Sequence, residues 1–103
     1  MHRLSNTVAF SAISGNYTGV QIDGEATGNT IASNDIGTGL SGSLYLGNYG
    51  FGVALISVSG NTVEANNIDN NGAYGIYLYY ADQNTLTGNT FANNTHGQEL
   101  VFG

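Results

Sequence analysis

The side chains best placed to make contacts outside the fold are aromatic. In Tyr74-Gly75-Ile76-Tyr77-Leu78-Tyr79 the aliphatic and tyrosine residues alternate with a period of two. That is the pattern of a strand with one buried face, so Ile76 and Leu78 should point inward and Tyr77 and Tyr79 outward. Tyr74 falls at the corner before the strand, and Tyr45, Tyr49 and Phe51 lie in the segment that precedes the neighbouring strand. Together these six residues form a candidate ligand-binding patch. A tyrosine ring offers a flat apolar face and a polar hydroxyl, which suits sugars and protein partners alike. The competing reading is that the segment bearing Tyr45, Tyr49 and Phe51 folds back and covers Tyr77 and Tyr79 as a satellite cluster.

Carboxylate chemistry is the next possibility. Cleaving a glycosidic bond takes two carboxyl groups about 5 to 10 Å apart. The spacing allows Asp35 to approach Glu64, and Asp23 to approach Glu25, on an outer wall. Solvated surface acids are the plainer account of all four. His2 and His96 sit at opposite ends of the chain with no carboxylate motif around them, and there is no cysteine. That leaves no triad, no thiolate zinc site and no disulfide framework. Gly37-Thr38-Gly39-Leu40-Ser41-Gly42 fits G-x-G-x-x-G, but the dinucleotide motif works only where it opens a helix, and no βαβ pattern surrounds it. No catalytic residue, metal site or cofactor is assigned.

Composition narrows the partners. The chain has 103 residues, 41 % of them apolar, which allows one domain (1–103) with a core. Seven acids oppose a single basic residue, Arg3, giving a net charge of −6. Gripping nucleic acid takes clustered Lys and Arg to neutralise phosphates, so that class is excluded, and an anionic membrane surface is disfavoured for the same reason. No run reaches the roughly 18 apolar residues of a membrane span. Sixteen Gly, frequent Asn and no Pro favour turns over helices.

What must position these side chains is a repeat. Asn6-Thr7-Val8, Asn29-Thr30-Ile31, Asn61-Thr62-Val63 and Asn84-Thr85-Leu86 begin 23, 32 and 23 residues apart, and each is followed five positions after its aliphatic residue by Ile13, Ile36, Ile68 or Phe91. A period of roughly 20 to 50 residues marks a solenoid, whose units are stable only when stacked on neighbours. A second strand recurs as Gly19-Val20-Gln21-Ile22, Gly52-Val53-Ala54-Leu55 and Gly75-Ile76-Tyr77-Leu78. Val20, Ile22, Val53, Leu55, Ile76 and Leu78 should line the interior, with Val8, Ile31, Val63 and Leu86 from the other strand. Stacked coils lie about 4.8 Å apart, so equivalent Asn amides can bond up and down the stack. Two such ladders are expected: Asn6/Asn29/Asn61/Asn84 and, less completely, Ser11/Asn34/Asn66/Asn89. The long step places an inserted loop at about 37–52, and insertions in repeat proteins map to one face, often the binding face. In the last coil Gln98 is expected in the place of Val20, Val53 and Ile76, as a polar end to the stack.

These repeats resemble the right-handed parallel β-helix of the pectin-lyase-like superfamily, over about residues 4 to 100. Ile36-Gly37-Thr38, Gly42, Leu46-Gly47-Asn48 and Gly52-Val53 are similar to repeats of large bacterial secreted or surface proteins. The resemblance implies an all-β fold, a short right-handed parallel β-helix of about four coils. It also implies an extracellular or cell-surface setting, although Met1-His2-Arg3 leads into the first repeat with no room for a signal peptide. Enzymes of this superfamily have more coils, which points to a fragment or a minimal version. Their lyase chemistry uses a Lys or Arg base, commonly beside Asp-bound calcium, and this sequence has no Lys. Shared architecture does not transfer an activity.

The expected function is therefore a non-catalytic β-helix module serving as a structural or binding surface for carbohydrate or protein. The alternative is a polysaccharide-active enzyme, or a fragment of one, using outer-wall acids such as Asp35 and Glu64. A remote alternative is an ice-binding solenoid, because Thr7, Thr30, Thr62 and Thr85 form an outward column. The neighbouring column Ala9, Ala32, Glu64, Thr87 breaks the regular lattice that ice recognition needs. Open strand edges pair readily with other chains, so self-association is expected, end to end or through the aromatic patch.

Overall fold

The computed structural model describes residues 5–37 and 47–103. Among them are twelve strands: β1 (Thr7–Ala9), β2 (Ala12–Ile13), β3 (Val20–Ile22), β4 (Thr30–Ala32), β5 (Asp35–Ile36), β6 (Val53–Ile56), β7 (Thr62–Glu64), β8 (Asn67–Asp69), β9 (Tyr74–Tyr79), β10 (Thr85–Thr87), β11 (Thr90–Ala92) and β12 (Gly97–Phe102). They form three parallel sheets of four strands, β1-β4-β7-β10, β2-β5-β8-β11 and β3-β6-β9-β12. Each coil thus contributes one strand to each sheet. The result is a three-sided β-solenoid of about four turns.

The register follows the repeat. Val8 pairs with Ile31, Ile31 with Val63, and Val63 with Leu86. Ile13, Ile36, Ile68 and Phe91 make a second file. Val20, Val53 and Ile76 make a third, with Ile22, Leu55 and Leu78 beside it. Ile22, Ile31, Ile36, Val53, Leu55, Val63 and Ile68 are completely buried. Each such side chain contributes about 1.5 to 3 kcal/mol by leaving water, which is what holds strands of only two to six residues together. The Thr column and the Ala9, Ala32, Glu64, Thr87 column are likewise in register on the first sheet.

In β12 the register differs from the expectation. Glu99, not Gln98, pairs with Ile76, and Val101 pairs with Leu78. Aligning Gly97 with Gly75 shifts the strand by one residue, whereas Gly97 lies opposite Tyr74. Because side chains alternate, that single step exchanges the two faces. Leu100 and Phe102 consequently stand outward, over Tyr77 and Tyr79.

Two corners turn by a repeated device, a left-handed residue followed in nearly every coil by an Asn, whose amide is buried in the inner coils. Ser5, Gly28, Gly60 and Gln83 have φ between 58° and 72° and immediately precede Asn6, Asn29, Asn61 and Asn84. Glycine adopts this conformation without steric penalty, which accounts for Gly28 and Gly60. Phe10, Ser33, Ala65 and Gly88 do the same before Ser11, Asn34, Asn66 and Asn89. The first Asn ladder runs from Asn6 Nδ2 to Asn29 Oδ1 (3.0 Å), Asn29 Nδ2 to Asn61 Oδ1 (3.1 Å) and Asn61 Nδ2 to Asn84 Oδ1 (3.2 Å). The second runs from Asn34 to Asn66 (3.0 Å) and on to Asn89 (2.9 Å), with the Ser11 backbone N–H donating to Asn34 Oδ1.

A third ladder, at the corner between the second and third sheets, was not among those the sequence predicted. The Asn16 backbone N–H donates to Asn48 Oδ1 (3.1 Å), Asn48 Nδ2 to Asn71 Oδ1 (2.9 Å) and Asn71 Nδ2 to Asn94 Oδ1 (2.9 Å). Asn48 comes from the expected inserted loop. Residues 47–52 are therefore an ordinary corner of the solenoid, with Tyr49 N–H donating to the Asn16 carbonyl and Gly72 N–H to the Asn48 carbonyl. A 32-residue step in place of 23 leaves nine additional residues, 38–46, which lie outside the described residues. Among the described residues no buried side-chain nitrogen or oxygen lacks a hydrogen-bond partner.

Candidate binding face

The three outer walls differ in chemistry. The first carries the Thr column. The second carries a polar column, in which Asn67 Nδ2 donates to Asp35 Oδ1 (2.9 Å) and Thr90 Oγ1 to Asn67 Oδ1 (2.6 Å). The third carries aromatic rings. Alternation along β9 puts Tyr77 and Tyr79 outward, with ring centres 6.1 Å apart. Phe51, at the corner one coil earlier, stacks on Tyr77 at 4.4 Å with the planes 12° apart. Phe102, one coil later, stacks on Tyr79 at 5.2 Å and 8°. Tyr80 closes the array edge-on, 4.8 Å from Tyr79 and 5.7 Å from Phe102. Aromatic pairs in such geometries contribute about 0.5 to 1.5 kcal/mol each beyond their buried area.

Of the six residues expected to form the patch, Phe51, Tyr77 and Tyr79 are joined in this array. Tyr74 is half-buried at the same corner, and its ring meets His96 at 5.8 Å. Tyr49 stands 81 % exposed at the corner, one coil above the equally exposed Tyr17. Tyr45 lies outside the described residues. Phe51 does lie over Tyr77, and Ala54, in the outward column beside Tyr77, is 1 % exposed. Tyr77 and Tyr79 nonetheless remain partly exposed, while Tyr80 and Phe102 are more than half exposed.

Two members of the array were missed from sequence, Tyr80 and Phe102, and His96 meets Tyr74 outside it. Phe102 follows Tyr79 by the same 23-residue step as the repeat, so the signal was present once β12 was aligned correctly. Tyr80 has a left-handed backbone (φ 48°), which breaks the alternation and turns it towards the array instead of the core.

The two acids of the enzymatic alternative stand on different sheets. Asp35 lies on the second sheet and Glu64 on the first. The acid that feels Asp35 is Asp69, one coil on. Partial burial raises the Asp69 carboxyl above its ordinary 3.8, the Asp35 charge adds to the rise, and a hydrogen bond from the Ala92 backbone opposes it. Folded protein therefore holds this proton more tightly than unfolded protein does. Stability from this group increases as pH falls through the raised value towards 3.8, and at neutral pH the charge is a net penalty. Asp69→Asn should raise the melting temperature at pH 7, and the advantage should shrink as the pH of the melt is lowered towards 4. An advantage constant across that range would contradict the assignment. No group of three or more His, Cys, Asp or Glu among the described residues is arranged to hold a metal ion.

With the coil geometry established, a family comparison is decisive: the model for the right handed beta helix region matches residues 2–102. The chain belongs to this family. Membership agrees with the resemblance of its repeats to the pectin-lyase-like superfamily. Among curated proteins and among solved structures, nothing matches.

Proposed function

We propose that this β-helix is a non-catalytic module whose third outer wall binds carbohydrate. One observation carries the reading: five rings, Phe51, Tyr77, Tyr79, Tyr80 and Phe102, form a continuous array on one of three walls. Sugar rings have apolar C–H faces that pack on aromatic surface, and tyrosine adds a hydroxyl for the rim of the ligand. The two stacked pairs hide one face of each of their rings. Leu100 and Ile56 lie in register beside Tyr77 and Tyr79, so the partly exposed remainder of those two rings, with the more exposed Tyr80 and Phe102, is the contact surface. The acids Asp35 and Glu64, the basis of an enzymatic alternative, stand on the other two sheets.

The test is affinity electrophoresis through gels containing soluble polysaccharides, run beside an assay for new reducing ends and unsaturated products. Retardation without product formation is expected. Tyr77→Ala combined with Tyr79→Ala should weaken retention at least about tenfold, the effect of losing about 1.4 kcal/mol, because truncated aromatic anchors dominate binding losses. Unchanged retention in that variant would remove the wall from the site. Turnover that disappears in Glu64→Gln would replace the module with an enzyme.

A further inference from the structure

We infer that the glycan taken by this wall is uncharged, and that its polar edge is held in a cleft at the corner between the third and first sheets. This inference rests on the carbohydrate reading above and extends it to a second set of residues. The cleft has a volume of about 450 Å³ and is lined by Glu25, Ser57, Ser59, Tyr80, Asp82 and Gln83, with Val58 at its floor. Volumes of a few hundred Å³ are typical of small-ligand sites.

Three successive coils build it. The third-sheet strands β6 and β9 end at Ile56 and Tyr79, and Ser57 (φ 54°) and Tyr80 (φ 48°) bend the chain away from the wall. Val58 then turns into the core, 4 % exposed, which leaves the polar residues on either side of it facing outward. Glu25 supplies the first coil's contribution, Ser57 and Ser59 the second's, and Tyr80, Asp82 and Gln83 the third's. The backbone beneath is fixed, because Asn84 Nδ2 donates to the Val58 carbonyl at 2.9 Å and Asn61 Nδ2 to the Ser59 carbonyl at 3.1 Å. Tyr80 belongs to both surfaces. It lines the cleft, and its ring touches Tyr79 and Phe102 of the wall. Apolar wall and polar cleft are therefore one continuous surface.

The chemistry of the cleft selects the ligand. Glu25 and Asp82 accept hydrogen bonds, Ser57 and Ser59 give and accept them, and the Gln83 amide does both. Hydroxyl groups of a sugar donate well to carboxylates, and such charge-assisted bonds are about twice as strong as neutral ones. The described residues contain seven carboxylates and no Lys or Arg, since the one basic residue is Arg3. A polyuronate would bring its own carboxylates to this surface, with no Lys or Arg among the described residues to neutralise them. Repulsion of that kind is a direct source of specificity. Uncharged polysaccharide is the class that both the wall and the cleft accept.

The experiment compares retention of wild type by neutral glycans (β-glucan, mannan, xylan), by polygalacturonate and alginate, and by chitosan. Binding to at least one neutral glycan and to neither polyanion is expected, and Glu25→Ala with Asp82→Ala should weaken neutral binding at least about fivefold. Both side chains are exposed, and circular dichroism should show the coil unchanged. Should this pair bind as wild type while the Tyr77/Tyr79 variant fails, the cleft is overturned and the wall stands. Polyanions held as well as neutral glycans, or salt-sensitive binding to chitosan alone, would overturn the uncharged class. If wild type binds no polysaccharide, the carbohydrate reading falls and this inference with it.

Discussion

Asn66→Ala is expected to remove a large share of the stability of the fold, although it deletes only a small polar group. Asn66 is 1 % exposed. Its Oδ1 accepts from the Asn34 backbone N–H (2.9 Å) and from Asn34 Nδ2 (3.0 Å). Its Nδ2 donates to the Ile31 carbonyl (3.0 Å) and to Asn89 Oδ1 (2.9 Å). The amide therefore ties together three coils at one corner. Truncation leaves the buried Asn34 backbone N–H with no acceptor, leaves Asn34 Nδ2 with only the Val8 carbonyl (3.0 Å), and takes a donor from the Ile31 carbonyl and from Asn89 Oδ1. Each orphaned buried group costs about 1 to 3 kcal/mol, so a loss above about 3 kcal/mol is expected. Typical domains have only about 5 to 15 kcal/mol in total. The neighbouring residue is the control. Asn67 points outward and its hydrogen bonds to Asp35 and Thr90 are exposed, so Asn67→Ala should change stability by less than about 1 kcal/mol. Urea titrations followed by circular dichroism read both. Equal midpoints for the two variants would show that the ladders do not carry the stack.

Gly37→Ala should be as damaging, for a different reason. Gly37 has φ 110°, a conformation open to glycine and strained for any residue with a side chain. A Cβ there would also run into the Asp69 backbone carbonyl oxygen and approach both Asn71 amide atoms at 2.8 Å. Asn71 is a fully buried rung of the third ladder, so it has no free direction in which to move. The second and third coils would have to part at this corner. Gly24→Ala separates the two contributions. Gly24 also has a left-handed backbone, φ 62°, but nothing lies within 4 Å of a Cβ placed on it. It should lose only the conformational term, about 1 to 2 kcal/mol. Gly37→Ala should lose several kcal/mol more, through separation of packed strands. Thermal melts of the two variants decide the matter, and similar melting temperatures would mean that the coils are not in contact at Gly37.

The contrast between Asn66 and Asn67 also marks how far the sequence could be read. Identical residue types in adjacent positions differ only in which way they face, and the repeat alone told them apart. Asn66 falls on a 23-residue file with Asn89, whereas Asn67 alternates with Asp35 and Thr90. The third ladder was hidden because its rung Asn48 follows the nine additional residues, which disturbed the spacing used to find the others. Gly-Asn dipeptides at Gly15-Asn16, Gly28-Asn29, Gly47-Asn48, Gly60-Asn61 and Gly88-Asn89 were the signal that covers all three corners. In β12, Gly97 offered two alignments one residue apart, and local pattern could not choose between them. Hydrogen bonding to β9 did.

Sequence by itself determined the solenoid, the inward files, two of the Asn ladders and the outward direction of Tyr77 and Tyr79. Those features repeat at a fixed step, and a parallel in-register stack places equal positions above one another. Only the tertiary structure decided that Phe51 stacks on Tyr77, that Phe102 and Tyr80 complete the wall, and that Glu25, Asp82 and Gln83 share a cleft. Phe102 and Tyr79 are equivalent positions, hidden only by the register of β12, whereas Phe51 on Tyr77, Tyr80 on Tyr79 and the cleft's Glu25 with Asp82 and Gln83 join positions that are not equivalent in the repeat. They depend on how each corner bends and on which side chain leans across to the next coil, and periodicity carries no information about either.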